Sequence, residues 1–300
     1  MKRSKITILL AIVLGMTFHS CLDLEPQDQL GGKNMWTSVN DYKQFANTFY
    51  SWTRDFSSVV YDGTHSDKRS DLITYQSYNE FSRGINSIPS SDANYTDNYK
   101  HIRRTNLLLQ NAEAYAKPED IKQYIGEAYF FRAYSYFDLL QLYGDVIITK
   151  KPLDITDPEM KVKRNDRSEV VDLIIDDLNH AVENLPAFKE LTTEEEGRIS
   201  KEGAQAFLSR VALYEGTWQK SRNGNQNTQR SANLLDIAAK AARTVIDAKY
   251  GYTFRLFGTD SETKILGDSA QKYMFILENE KSNPAGIKKS SNHEYIFARR

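Results

Sequence analysis

The chain has 300 residues, with 39 Lys and Arg against 40 Asp and Glu, a formal net charge of −1 and a single cysteine. That length suits one or two domains with a real core, the charge balance excludes the basic face of a nucleic-acid binder, and one thiol excludes an internal disulfide. Aromatic residues make up 12% of the chain, 18 Tyr and 14 Phe among them, enough to furnish both a core and a ligand-stacking surface.

Lys2, Arg3 and Lys5 precede an apolar run of about eleven residues, Ile6 to Met16, and Phe18-His19-Ser20 leads into Cys21. A membrane-spanning helix needs roughly 20 apolar residues, so residues 1–20 read as a cleavable export signal. A lone cysteine directly after a small residue at the end of such a signal resembles the bacterial lipobox, where the thiol is acylated and the chain is cut before it. Cys21 is then the lipid attachment point and residues 21–38 the tether, since two acyl chains anchor a protein stably without a spanning helix. Removing residues 1–20 takes away three cations and leaves 36 Lys and Arg against 40 acids, a net charge of −4.

From residue 39 to 300 the dominant period is helical. Asn40-Asp41 is a candidate cap for a helix that places Tyr42, Phe45, Phe49 and Trp52 on one face. A second helix spans Asp97 to Tyr115, with Ile102, Asn106 and Leu109 along its stripe. Pro118 opens a third, with Glu119 and Asp120 in the first turn, where the helix dipole favours anions. It carries Ile121, Ile125, Ala128, Tyr129, Arg132, Tyr136, Leu139 and Tyr143 before Gly144 stops it. Asp166 and Glu169 form a capping box for a fourth helix ended by Pro186. Ser200 caps a fifth through Gly203, Ala204 and Phe207, whose small residues suit a close helix crossing, and a sixth starts near Asn233. The spacing predicts irregular tetratricopeptide-like helical pairs, a mainly α fold with long loops.

Arg54 to Thr96 has no helical period, and a polar connection of about forty residues inside a compact chain is usually functional or disordered. Its aromatics, Tyr61, Tyr75, Tyr78 and Phe81, argue against plain disorder. Val146 to Thr149 reads as a short strand inside a meander over the helices, and Arg222 to Ser231 as an exposed turn. Tyr295 to Arg300 is a strand-like run that stops without a turn, so the C-terminal part reads as truncated.

The residues do not assemble a catalytic centre. His65, His101, His180 and His293 show no i, i+4 pair and no HExxH, and no second cysteine is available for zinc. Glu194-Glu195-Glu196 offers carboxylates for glycoside hydrolysis but reads as a solvated loop, and there is no Gly-rich phosphate loop. No cofactor and no metal are expected, and the protein reads as a non-enzyme. Arg132 reads as structural, paired with an acid such as Glu127 or Asp138.

CLDLEP after the signal, DYKQFANTFY, YKHIRRTNLLLQNAE, GEAYFFRAYSYFDLLQLYGDV, RSEVVDLIIDDLNHAVENLP and GRISKEGAQAFLSRVALYEG follow one another in an order that resembles the SusD/RagB family of Bacteroidetes outer-membrane nutrient-binding lipoproteins. The resemblance implies a SusD-like fold and a lipid-anchored, cell-surface-exposed protein of the outer membrane. It also implies capture of a glycan or other nutrient and its delivery to a partner, a SusC-like TonB-dependent transporter. The alternatives are a binder of a peptide nutrient and a protein-interaction scaffold within an outer-membrane complex.

Sugars present flat CH faces to aromatic rings and hydroxyls to Asp, Asn and Arg. SDLITYQSYNEFSR, Ser70 to Arg83, supplies both, so Tyr75 and Tyr78 are expected to stack on a ligand while Asp71 and Asn79 hydrogen-bond it.

Overall fold

The computed structural model describes residues 35–54, 67–70, 72, 79–222, 228–277, 279 and 281–297. Cys21, the expected export signal and the expected tether up to residue 34 lie outside the described residues. Among those residues the chain is mainly α, with seven α-helices and no strand: α1 (Val39–Asn47), α2 (Ala93–Glu113), α3 (Lys122–Tyr143), α4 (Arg167–Asn184), α5 (Lys201–Arg222), α6 (Thr228–Ile246) and the single turn α7 (Ala270–Tyr273).

Local chemistry sets the boundaries. α1 is capped by Ser38, two residues before Asn40, because Asp41 serves as the third residue of a capping box. The Ser38 hydroxyl accepts from Asp41 N–H, and the Asp41 carboxylate accepts from Ser38 N–H at 2.8 Å. α2 likewise starts before Asp97: Asp92 accepts from Asn94 N–H and becomes the cap. Pro118 opens a 3₁₀ turn, Pro118–Ile121, that feeds α3, and Gly144 ends α3 at a φ of 72°, which a side chain would strain. The capping box of Asp166 and Glu169 stands at the head of α4. α6 begins at Thr228, five residues before Asn233, and residues 223–227 of the expected turn lie outside the described part.

Each helix from α2 to α6 packs on the next in sequence, as stacked helical hairpins do. α3 occupies the centre. Ala128, Phe131, Ala133, Tyr136, Leu139 and Leu140 have no exposed surface, and Phe130 and Phe137 reach across to Phe207 of α5 at centroid distances of 5.4 and 5.5 Å. Burying a side chain of this size contributes roughly 1.5–3 kcal/mol, so α3 is the axis of the core. Two glycines allow the close crossings. A Cβ at Gly126 would lie 2.9 Å from Leu185 after α4, and one at Gly216 2.9 Å from Leu235 of α6. Gly203, by contrast, abuts Ile199 just before its own helix rather than a crossing partner.

Val146 to Thr149 does not pair as a strand. A single antiparallel bridge joins Val146 to Asn165, and the rest of the segment is held by side chains of α2 and α3. Tyr295 to Phe297 is not in a strand either; Phe297 packs near Tyr50 at 6.3 Å, and residues 298–300 lie outside the described part.

Candidate functional site

Arg132 lies inside the core. Its Nε and Nη2 donate to the two Asp177 oxygens at 2.8 and 2.6 Å, and Nη1 donates to Asn106 Oδ1 at 2.8 Å. Asn106 then donates to the carbonyls of Thr149 and Lys151, while the Tyr136 hydroxyl accepts from Thr149 N–H at 2.8 Å. Arg132 is structural as expected, but its acid is Asp177 of α4, whereas Glu127 and Asp138 are held by Arg198 and Arg54. Burial pushes the Asp177 carboxyl above its usual range, with the Arg132 hydrogen bonds and charge opposing.

Two similar joints follow. Arg198, before α5, donates to both oxygens of the fully buried Glu127 of α3 at 3.2 and 3.1 Å and to Asn47 Oδ1 at 2.5 Å. Burial pushes Glu127 up to about 7 against the pull of Arg198 and a hydrogen bond from Tyr50. Arg167 of α4 pairs with the fully buried Glu215 of α5 at 2.8 Å and stacks over Trp218 at 4.3 Å. Each of these arginines ties together parts of the helical stack that are distant in sequence.

The polar loop after α1 presents a different surface. Asp71, Tyr75 and Tyr78 lie outside the described residues. Asn79 is described: its Oδ1 accepts from the backbone N–H of Phe81 at 2.9 Å and of Ser82 at 3.3 Å, so this oxygen shapes a turn. Phe81 stands half exposed, with the Arg69 guanidinium 3.8 Å above its ring. Where the loop enters α2, the Tyr143 hydroxyl donates to Asp92 at 2.7 Å, and Tyr95 meets Tyr143 edge-on at 5.2 Å and Tyr99 at 4.8 Å. The Tyr143 hydrogen bond, then the backbone and side-chain N–H groups of Asn94 and the charge of Arg69, hold Asp92 below its usual range despite partial burial. Rings, a fixed carboxylate and a guanidinium therefore share the described end of this loop.

Two hollows lie elsewhere. One of about 360 Å³ is lined by Lys43, Asn47, Tyr50, Glu194, Arg198 and Phe297, with the Arg198 network as a wall. Glu194 and Glu196 are exposed at its rim, as a solvated loop requires. The other, about 590 Å³, runs between α4 and α6 along Asp172, Ile175, Asp176, Asn179, Arg230 and Leu234 and has no aromatic lining residue. Among the described residues no group of three His, Cys, Asp or Glu side chains is placed to hold a metal. His180 stacks on Tyr129 at 4.9 Å on the helix surface.

A SusD-like family model, described as "Starch-binding associating with outer membrane", matches residues 22–213. The chain belongs to the SusD-like family. SusD-like protein P38 of Formosa agariphila is 28% identical over 233 residues, which cover 71% of this chain and 42% of that protein. A crystal structure of a SusD-like protein from Bacteroides fragilis superimposes with a TM-score of 0.64 at 23% identity, over 91% of this chain and 46% of that one. A second solved structure, crystallised with xylogluco-oligosaccharide, gives 0.54 at 22% identity over 85% and 44%. This SusD-like chain thus spans about half the length of the proteins it matches. No helix among its described residues is long and apolar enough to cross a membrane.

The buried arginine joints were not found from sequence, apart from Arg132 itself. The available signal was a charged residue in the middle of an apolar stripe, as at Glu127, Asp177 and Glu215, which demands a buried partner.

Proposed function

We propose that this SusD-like chain is a non-catalytic carbohydrate-binding lipoprotein of the outer membrane, exposed at the cell surface. In this reading, acylation of Cys21 after removal of residues 1–20 anchors it, and it captures oligo- or polysaccharide for a SusC-like TonB-dependent transporter. The observation that supports the sugar reading is the loop end itself, where the half-exposed Phe81 ring lies under the Arg69 guanidinium and the Asp92 carboxylate is fixed by Tyr143; Asp71, Tyr75, Tyr78 and Asn79 belong to the same loop in sequence. Membership in a family described as starch-binding and the fold shared with a protein crystallised with xylogluco-oligosaccharide support the same ligand class. Tyr75 and Tyr78 stack on sugar rings, Asp71 bonds hydroxyls, and Asn79, its oxygen engaged in the turn, contributes its amide N–H groups.

Calorimetric titration of the exported chain, with Cys21 replaced by Ser, against a panel of neutral and acidic poly- and oligosaccharides tests this. Saturable binding to one glycan class is expected, weakened about tenfold or more in Tyr75→Ala/Tyr78→Ala, because an aromatic stack contributes roughly 0.5–1.5 kcal/mol. Binding unchanged in a folded double variant removes the tyrosines from the site. Silence across the panel replaces the sugar with a peptide or a protein partner, for which the 590 Å³ groove between α4 and α6, with no aromatic lining residue, is the better seat.

A further inference from the structure

Between α3 and α4 the chain leaves the core and returns to it at nearly the same point. On the way out, Thr149 N–H donates to the Tyr136 hydroxyl at 2.8 Å, and Asn106 holds the carbonyls of Thr149 and Lys151. On the way back, Asn165 N–H donates to the Val146 carbonyl and Asn165 Oδ1 accepts from Ile148 N–H, both at 2.9 Å. The intervening residues form a compact Ω-loop on a rigid root.

The outer part of that loop has an unusual composition. Residues 158–164 are all exposed, and Ile155, Met160 and Val162 present 93%, 50% and 45% of their surface to solvent. Lys150, Lys151, Lys161, Lys163 and Arg164 outnumber the loop's three carboxylates, in a chain whose overall charge is −1. Two of those carboxylates are engaged within the loop, Glu159 with Lys151 at 2.8 Å and Asp157 with Asp154 N–H at 2.7 Å, while the exposed Asp154 carboxylate lies 4.0 Å from Arg103. The stretch Met160-Lys161-Val162-Lys163-Arg164 is left with three cations, two apolar side chains and no acid.

We propose that this Ω-loop docks the protein onto an anionic lipid surface, with Ile155, Met160 and Val162 entering the boundary between headgroups and acyl chains and Lys161, Lys163 and Arg164 pairing with lipid phosphates. Charge complementarity selects an anionic partner, and the apolar side chains select lipid over an acidic polysaccharide. Sugars stack on aromatic rings, whereas exposed aliphatic side chains among cations suit a membrane interface. The rooted loop stays ordered before contact, so docking costs little ordering entropy. The contact uses none of the residues proposed for acylation or for sugar binding, and it would set the orientation of the helical body on the membrane.

The test is sedimentation of the exported chain, carrying Cys21→Ser, with vesicles of phosphatidylcholine alone and of phosphatidylcholine mixed with phosphatidylglycerol. Binding to the mixed vesicles is expected, weak on phosphatidylcholine alone, and falling as salt rises because the contact is solvent-screened. Each cation near an anionic surface contributes about fivefold to partitioning. Lys161→Gln/Lys163→Gln/Arg164→Gln should therefore reduce binding about a hundredfold, and Ile155→Ser/Met160→Ser/Val162→Ser should reduce it as well. As an independent readout, Val162→Trp should gain fluorescence that brominated lipid quenches. No binding to the mixed vesicles, or binding that survives both triple substitutions, overturns the proposal. Binding that the charge variant abolishes and the serine variant leaves intact, with equal affinity for alginate, also overturns it and assigns the loop to an anionic polysaccharide.

Discussion

The helical stack from Ala93 to Ile246 and the segment from Tyr252 to Phe297 satisfy their backbones by opposite means. In the stack, helices bond their own peptide groups and bury one continuous core, into which charged groups enter mainly as the joints Arg132–Asp177, Arg198–Glu127 and Arg167–Glu215, with Glu202 accepting from Phe188 N–H. Among its described residues the later segment has no α-helix longer than one turn, and short polar side chains bond its backbone instead. Asp260 accepts from Glu262 and Thr263 N–H, Asn283 bonds both the N–H and the carbonyl of Ile287, and Asn292 accepts from Glu294 N–H. Its core is a small cluster of Phe257, Leu266, Ala270, Leu277 and Ile287. Stacked helices distribute stability over many contacts, whereas the later segment concentrates it in a few hydrogen bonds.

The largest blow to this contrast is Arg132→Leu. It leaves Asp177, which is 0% exposed, without its cation and removes a partner of Asn106. Breaking one side of a buried pair costs about 3–5 kcal/mol, and denaturant unfolding should show that loss as a lower midpoint. A loss below about 1 kcal/mol, the range of exposed pairs such as Lys100–Asp97, would mean the joint is not what fastens α4 to α3.

The Glu127 joint sharpens the comparison through pH. Below the ordinary glutamate value of 4.5 both folded and unfolded chains hold the proton, whereas from there to about 7 only the folded chain does. Unfolding then releases a proton, so this group's contribution favours the folded state at low pH and is lost as pH rises through that window. Glu127→Gln should remove the slope. The stability difference between the wild type and this variant should therefore change by about 3 kcal/mol across the window, read from unfolding curves at a series of pH values. A constant difference would place the carboxyl of Glu127 near its ordinary value.

Asn283→Ala is the smaller and more local test. It leaves the Ile287 N–H and carbonyl unpaired in a buried site, a cost of about 1–3 kcal/mol. Native-state hydrogen exchange should speed up around Asn283 to Ile287 while the amides of α3 and α5 keep their protection. Uniform acceleration would show that the two regions unfold as one unit.

Much of the fold was legible because its signals are local. The capping box at Asp166 and Glu169, Pro118 ahead of α3, Gly144 behind it and the three- and four-residue steps of Tyr42, Phe45 and Phe49 lie within a turn or two of each other. The caps missed, Ser38 and Asp92, were missed because a nearby Asn or Asp gives the same signal, and the choice depends on which oxygen reaches which N–H. The candidate site was legible as composition, rings and short polar groups in one long loop, but Asn79 shows the limit of that reading: an amide that looks free in sequence has its oxygen committed to a turn.

By itself the sequence determined that this protein is a succession of amphipathic helices with a polar, tyrosine-rich interruption, and its ordered motifs placed it among SusD-like chains. Periodicity and capping act over a few residues and need no partner. Only the tertiary structure decided that Arg132 meets Asp177, 45 positions away, and that Arg198 meets Glu127, 71 positions away. It also decided that the loop between α3 and α4 is rooted in the same buried network as Arg132. Buried charges bind whichever opposite charge the packed helices bring within reach, and that distance is a property of the assembled core.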